Sequence, residues 1–108
     1  MIQKIVIVCK GNICRSPVAE ALFKQALPNL EICSAGTMTQ SGSPAHPTMI
    51  SIMEKRGIDL YGHRTQSLKP ILVNWADLIL VMDTEIKNQV QSIMPTARAK
   101  LFLLDKDN

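Results

Sequence analysis

The stretch that most constrains this chain runs from Ile5 to Pro17. An unbroken β-branched run, Ile5-Val6-Ile7-Val8, is followed by Cys9-Lys10-Gly11-Asn12-Ile13-Cys14-Arg15-Ser16 and then by proline. Near-continuous apolar runs of this kind belong to strands of parallel sheets, which are covered on both faces. Proline is favoured in the first turn of a helix, so Ser16-Pro17 reads as a helix start. A strand, a tight loop and a helix therefore succeed one another without spare residues. The loop falls at the carboxyl end of the strand, with backbone N–H groups aimed into it.

Such a loop binds oxyanions, and the residues in it suit chemistry on them. A thiol held there is drawn toward thiolate by the helix dipole, the loop amides and a nearby guanidinium, and thiolate is the form that attacks phosphorus. Cys9 is the candidate nucleophile. Arg15 follows it by six residues, a Cys-x5-Arg pattern, and can return to the same anion once the loop curls. Its planar fork grips two equatorial oxygens as charge shifts in the transition state. The backbone from Lys10 through Gly11, Asn12, Ile13 and Cys14 to Arg15 would supply the remaining phosphate contacts. Gly11 permits backbone angles that other residues resist, and Asn12 tolerates a left-handed conformation or braces the loop with its amide. Ser16 can cap the helix or donate to the Cys9 sulfur, making it a better leaving group in a second step. The Cys-to-Arg spacing alone is a weak signal; its place between a buried strand and a helix start makes it specific.

At 108 residues, the chain suits a single domain over 1–108. A hydrophobic share of 46% with 19% charged residues is globular. The net charge of +3 comes from twelve scattered basic residues, so nothing points to nucleic acid or a membrane surface as partner. No stretch approaches the ~18 to 20 apolar residues that span a bilayer, and residues 2–8 lack the charged lead and cleavage site of a signal peptide. A cytoplasmic location is the expectation. Three cysteines do not make a disulfide scaffold, and a reducing compartment suits a working thiolate. With no CxxC pair and no His-rich spacing, neither a metal nor another cofactor is implied.

Further along, the pattern predicts a strand over 4–9, a helix over 17–27 with Val18, Leu22, Ala26, Ala19 and Phe23 along its apolar side, and a strand over 30–34. Ala35-Gly36 is expected to begin a loop. Residues 38–47, rich in Ser, Thr, Gly and Pro, read as a surface loop without an aromatic residue, and His46 as exposed. A helix over 48–56 has Met49, Ile50, Ile52 and Met53 as its apolar side, filling core, and ends at Gly57. A short helix over 69–74 precedes a packed Trp75 and a strand over 76–82. Asp83 is placed to cap a helix over 85–94, and a strand over 100–104 comes last. Strands alternating with helices give an α/β fold: a four-stranded parallel sheet in the order 2-1-3-4, with helices on both faces. The winding then reverses between strands 1 and 3, where ligands lodge, and the Cys9 loop sits at that crevice.

From Val8 to Pro17, with Ala19-Glu20 after it, the chain closely resembles the signature of the low-molecular-weight protein tyrosine phosphatases. Ser34-Ala35-Gly36-Thr37, Gly62-His63-Arg64 and Asp77-Leu78-Ile79-Leu80-Val81-Met82-Asp83 are similar to that family's later landmarks, in the same order. The resemblance covers residues 4–104. It implies a flavodoxin-like phosphatase I fold and hydrolysis of a phosphotyrosine protein or a small aryl phosphate through a phosphocysteine on Cys9. It also implies a supporting role for His63, bracing the loop near Asn12, and a reversible disulfide between Cys9 and Cys14 that shields the nucleophile during oxidation.

One departure stands out. The family protonates its leaving group from the Asp of an Asp-Pro pair after the fourth strand. Here the six prolines follow Ser16, Leu27, Ser43, His46, Lys69 and Met94, and none follows an Asp. The acid is then missing, replaced by Asp105 or Asp107, or carried by a longer product of which this chain is a fragment; its loss would cost ~10² to 10⁴ in rate. The sequence also ends where the family's last helix is expected, which predicts a fold lacking that helix, an apolar sheet face and a homo-oligomer or a weakly stable monomer. Two other readings compete. A phosphate or phosphoprotein binding module with little turnover would need no acid. An arsenate reductase would need further thiols, and none follows Cys33.

Overall fold

The computed structural model describes residues 1–104. Strand β1 (Lys4–Cys9) is the centre of the molecule, with Val6, Ile7 and Val8 wholly inaccessible to solvent. After it come α1 (Arg15–Ala26), β2 (Glu31–Gly36), α2 (Pro47–Lys55), α3 (Pro70–Trp75), β3 (Leu78–Val81), α4 (Thr84–Ile93), a 3-10 turn over Pro95–Lys100 and β4 (Leu101–Leu103). The four strands form a parallel sheet in the order β2-β1-β3-β4, as the alternation of strands and helices predicts.

Side chains alternate across the sheet and build two cores. Val6 and Val8 share one face with Ala35, Ile79, Val81 and Leu101, packed beneath Val73 of α3 and Ile86 and Val90 of α4. Ile5, Ile7 and Cys9 share the other with Ile32 and Met82, against Ala19 and Phe23 of α1. A third cluster joins Val18 and Ala21 of α1 to Met53 and Leu60. Over β4 the α1 side is thinner, and Phe102 stays 51% exposed.

Several boundaries differ for physical reasons. β2 continues through Ala35 and Gly36, because Gly36 donates to the Gln66 carbonyl and accepts from the Leu68 N–H, a pairing between distant segments that local sequence does not announce. α1 begins at Arg15, since the Ser16 hydroxyl turns inward and caps nothing. Leu22, Ala26 and Ile52, expected on the apolar sides, lie at the exposed edges of their helices. The 3-10 turn before β4 was not anticipated; Lys100 pins it by donating to the Val73 and Ala76 carbonyls at 2.6 and 2.7 Å. Asp83 caps α4 as expected, accepting from the Ile86 N–H at 2.9 Å.

Candidate active site

The register of the sheet places the site. Cys9 lies opposite Gly36 of β2, and Val8 opposite Val81 of β3, which in turn faces Leu103 of β4. All four strands thus end at one edge, and the loop from Cys9 into α1 crosses it where the winding reverses.

The loop is held from outside by its carbonyls. Those of Cys9, Lys10 and Ile13 accept from the N–H groups of Thr37, Met38 and His46, at 3.0, 2.9 and 2.8 Å. The Asn12 carbonyl meets His63 Nε2 at 2.7 Å, and because a carbonyl only accepts, the imidazole donates there. In a trans peptide the N–H points opposite to the C=O, so these ties turn the N–H groups of Lys10, Gly11, Ile13 and Cys14 inward. The segment 37–46 and His63 therefore fix the curl of the loop from outside, and of them Met38 also reaches the cavity above the sulfur.

From within, the loop is held by Asn12, which is fully buried and takes a left-handed backbone with φ of 58°. Asparagine is among the few side chains that bear this conformation. The curl brings the Asn12 N–H to 3.2 Å from Cys9 Sγ, and the Ser16 hydroxyl lies 2.9 Å from the same sulfur. The Asn12 amide donates to Ser16 Oγ and Ser34 Oγ, each at 2.9 Å, and accepts from the Gln66 N–H at 2.9 Å. Among the described residues every buried side-chain polar atom has a hydrogen-bond partner. Space is as tight as the bonding: a Cβ on Gly36 would stand 2.6 Å from the Lys10 carbonyl oxygen and 3.2 Å from Asn12 Cβ.

Above the sulfur is an open cavity of about 340 Å³, lined by Cys9, Lys10, Gly11, Ile13, Cys14, Arg15 and Met38. Cys9 and Arg15 thus face one space. Arg15 is half exposed, its Nη1 3.4 Å from Asp83 Oδ2. Cys33, by contrast, is outside the cavity; burial, reinforced by the negative charge of Glu20, pushes its thiol up to about 11.

Every loop residue singled out from the sequence, Cys9 through Ser16, is gathered here, and His63 sits behind Asn12. Asp105 and Asp107 lie outside the described residues. No cluster able to hold a metal ion occurs among the described residues. Sequence reasoning missed Ser34, Gln66 and Glu20 as parts of the support. A serine inside the otherwise apolar Ile32-Cys33-Ser34-Ala35 was the one available signal.

The family described as low molecular weight phosphotyrosine protein phosphatase matches residues 4–106. The chain belongs to that family. A probable low molecular weight protein-tyrosine-phosphatase, EpsP of Ralstonia solanacearum, is 48% identical over 104 residues, covering 96% of this chain and 72% of EpsP. The crystal structure of the Erwinia amylovora tyrosine phosphatase AmsI superposes with a TM-score of 0.92 at 40% identity, over 95% of this chain and 68% of AmsI. Vibrio vulnificus Wzb, solved in complex with benzylphosphonate, gives a TM-score of 0.94 at 34% identity, over 98% of this chain and 75% of Wzb. As in other low molecular weight phosphatases, the sheet is α/β and parallel, in the order the sequence predicts.

Proposed function

We propose that this chain hydrolyses phosphate monoesters of tyrosine or small aryl alcohols through a phosphocysteine on Cys9. The observation that carries this reading is the sulfur itself, which receives the Asn12 N–H at 3.2 Å and meets the Ser16 hydroxyl at 2.9 Å, beneath a cavity walled by Arg15. In the first step Cys9 Sγ attacks phosphorus, the S–P bond forms and the ester O–P bond breaks, while the loop amides and Arg15 hold the equatorial oxygens. In the second, water attacks phosphorus and gives its proton to the carboxylate that protonated the leaving oxygen, the S–P bond breaks and phosphate leaves. Ser16 donates to the departing sulfur anion, lowering the cost of that step. An amide N–H and a hydroxyl at the sulfur, with Arg15 on the wall of the same cavity, serve nucleophile and leaving group alike.

The leaving oxygen needs a proton. Among the described residues no carboxylate lines the cavity. We assign this proton to Asp105 or Asp107, which follow β4, a strand ending at the same sheet edge as β1.

Cys14 lines the same cavity as Cys9, which supports a disulfide between them on oxidation. With peroxide, both thiols lose their hydrogen, one S–S bond forms and the peroxide is reduced to water. Peptide mapping after peroxide treatment tests it. No helix among the described residues is long and apolar enough to cross a membrane, and a working thiolate suits the cytoplasm. Self-association would use the edge around Phe102, and sedimentation at micromolar concentration reads it.

Rapid quenching during turnover of p-nitrophenyl phosphate tests the hydrolase reading. A phosphoryl group on the Cys9 peptide is expected; phosphate binding without any turnover would make the chain a binding module instead.

A further inference from the structure

The Cys9 cavity has a bottom and a rim. Its lining residues belong to the stretch 9–15, except for Met38, which comes from the loop after β2. At the bottom, the inward N–H groups of Lys10, Gly11, Ile13 and Cys14, together with the Arg15 fork, already give each of three phosphoryl oxygens a donor. The Lys10 ammonium is not needed there. Lys10 is exposed and Met38 is 63% exposed, so both side chains belong to the rim, where the rest of a substrate would pass.

The backbone fixes this rim. The Met38 N–H donates to the Lys10 carbonyl at 2.9 Å, so the two rim residues start from paired positions. Thr37, one residue earlier, donates its N–H to the Cys9 carbonyl at 3.0 Å and its hydroxyl to the Gln89 side chain of α4. A soft thioether suits the edge of an aromatic ring, and an ammonium on a flexible stem suits a carboxylate. Charge on the rim is one-sided. Among the described residues no carboxylate lines the cavity; Arg15 has Asp83 as a counter-charge at 3.4 Å, whereas Lys10 is in no ion pair. We propose that Lys10 is a specificity-determining residue, whose ammonium favours phosphotyrosine with an aspartate or glutamate next to it in the peptide. Consecutive Cα atoms are about 3.8 Å apart, so with the ring against Met38 the neighbouring carboxylate stays over the same rim. This rests on the reading of the site as a tyrosine phosphatase and adds the sequence context of its substrate.

An exposed ion pair is a modest attraction, so the preference it creates is about two- to fivefold. The net charge of +3 would also draw acidic peptides, but without regard to which lysine is removed. Lys24 separates the two causes. It lines a different cavity and pairs with Glu20 at 2.7 Å, and replacing it by methionine lowers the net charge by the same unit as replacing Lys10.

The test compares kcat/KM of the full chain on two peptides, one with glutamate on both sides of the phosphotyrosine and one with glutamine there. The parent should favour the glutamate peptide by about two- to fivefold at low salt, and the advantage should shrink at high salt. Lys10→Arg and Lys24→Met should keep the preference, Lys10→Met should abolish it, and Lys10→Glu should reverse it. Equal losses on both peptides in Lys10→Met would make Lys10 a phosphate ligand and overturn the proposal. So would a parent without preference, or a preference lost as fully in Lys24→Met as in Lys10→Met. Calorimetric binding of the same peptides to Cys9→Ser, with and without Lys10→Met, reads the preference apart from chemistry. Binding with the expected preference and no turnover of either peptide by the parent would end the hydrolase reading and leave the role of Lys10 standing.

Discussion

Asp83 holds Arg15 with one carboxylate oxygen and the first turn of α4 with the other: Oδ2 lies 3.4 Å from Arg15 Nη1, and Oδ1 accepts from the Ile86 N–H at 2.9 Å. The guanidinium assigned above to phosphate binding is thereby tied to the end of β3. Both partners are partly exposed, so the ion pair adds only about 0–1 kcal/mol to stability. Its effect is on where Arg15 points.

The two duties of Asp83 separate by substitution. Asparagine caps a helix about as well as aspartate, whereas alanine costs about 1 kcal/mol. Asp83→Asn should therefore melt near the parent temperature yet show altered turnover, by several-fold, as Arg15 loses its counter-charge. Asp83→Ala should show both changes, checked by thermal denaturation and by kinetics on p-nitrophenyl phosphate.

Gly36 admits no side chain. Gly36→Ala would drive a methyl against the Lys10 carbonyl oxygen and within 2.8 Å of Thr39 Cγ2. Overpacking of this kind typically costs about 1–3 kcal/mol. Because the obstructing atom belongs to the loop backbone, phosphate affinity should fall along with melting temperature, and inorganic phosphate inhibition measures the former.

Asp77 staples β3 to β1 by accepting the Gln3 and Lys4 N–H groups, at 2.9 and 3.0 Å, and these bonds lower its carboxyl from 3.8. A carboxyl lowered in the folded state stabilises above its unfolded value, and the contribution fades as pH falls through the folded one. Asp77→Asn should thus be less stable than the parent at neutral pH. The gap should close well below pH 3.8, as followed by urea denaturation at several pH values.

The proton on the leaving oxygen is tested by comparing phenyl and p-nitrophenyl phosphate. If Asp105 or Asp107 supplies it, replacing both by asparagine should slow phenyl phosphate by about 10²-fold or more and the nitrophenyl ester far less. Parallel losses on both esters, measured in the step that releases the alcohol, would place the donor elsewhere.

The sheet order, the Cys9 loop and the Asp83 cap were all legible because each is written locally: a β-branched run, a loop between strand and helix, a capping residue before a helical pattern. What stayed hidden depends on partners far apart in sequence. Gly36 looked like the start of a loop because nothing in Ala35-Gly36 foretells its bonds to Gln66 and Leu68. Ser34 and Gln66 looked like ordinary polar residues, since only the folded chain brings them against Asn12, 22 and 54 residues away. The 3-10 turn over Pro95–Lys100 escaped because Lys100 finds its acceptors on α3 and just after it.

The measurement that bears most directly on the account is steady-state turnover of p-nitrophenyl phosphate by Cys9→Ser, alongside phosphate binding by the same variant. Turnover should vanish while binding by the loop persists, because the cradle of amides and Arg15 is left in place and only the attacking sulfur is gone. Undiminished turnover would contradict the assignment of Cys9 as nucleophile and, with it, the hydrolase built around that sulfur.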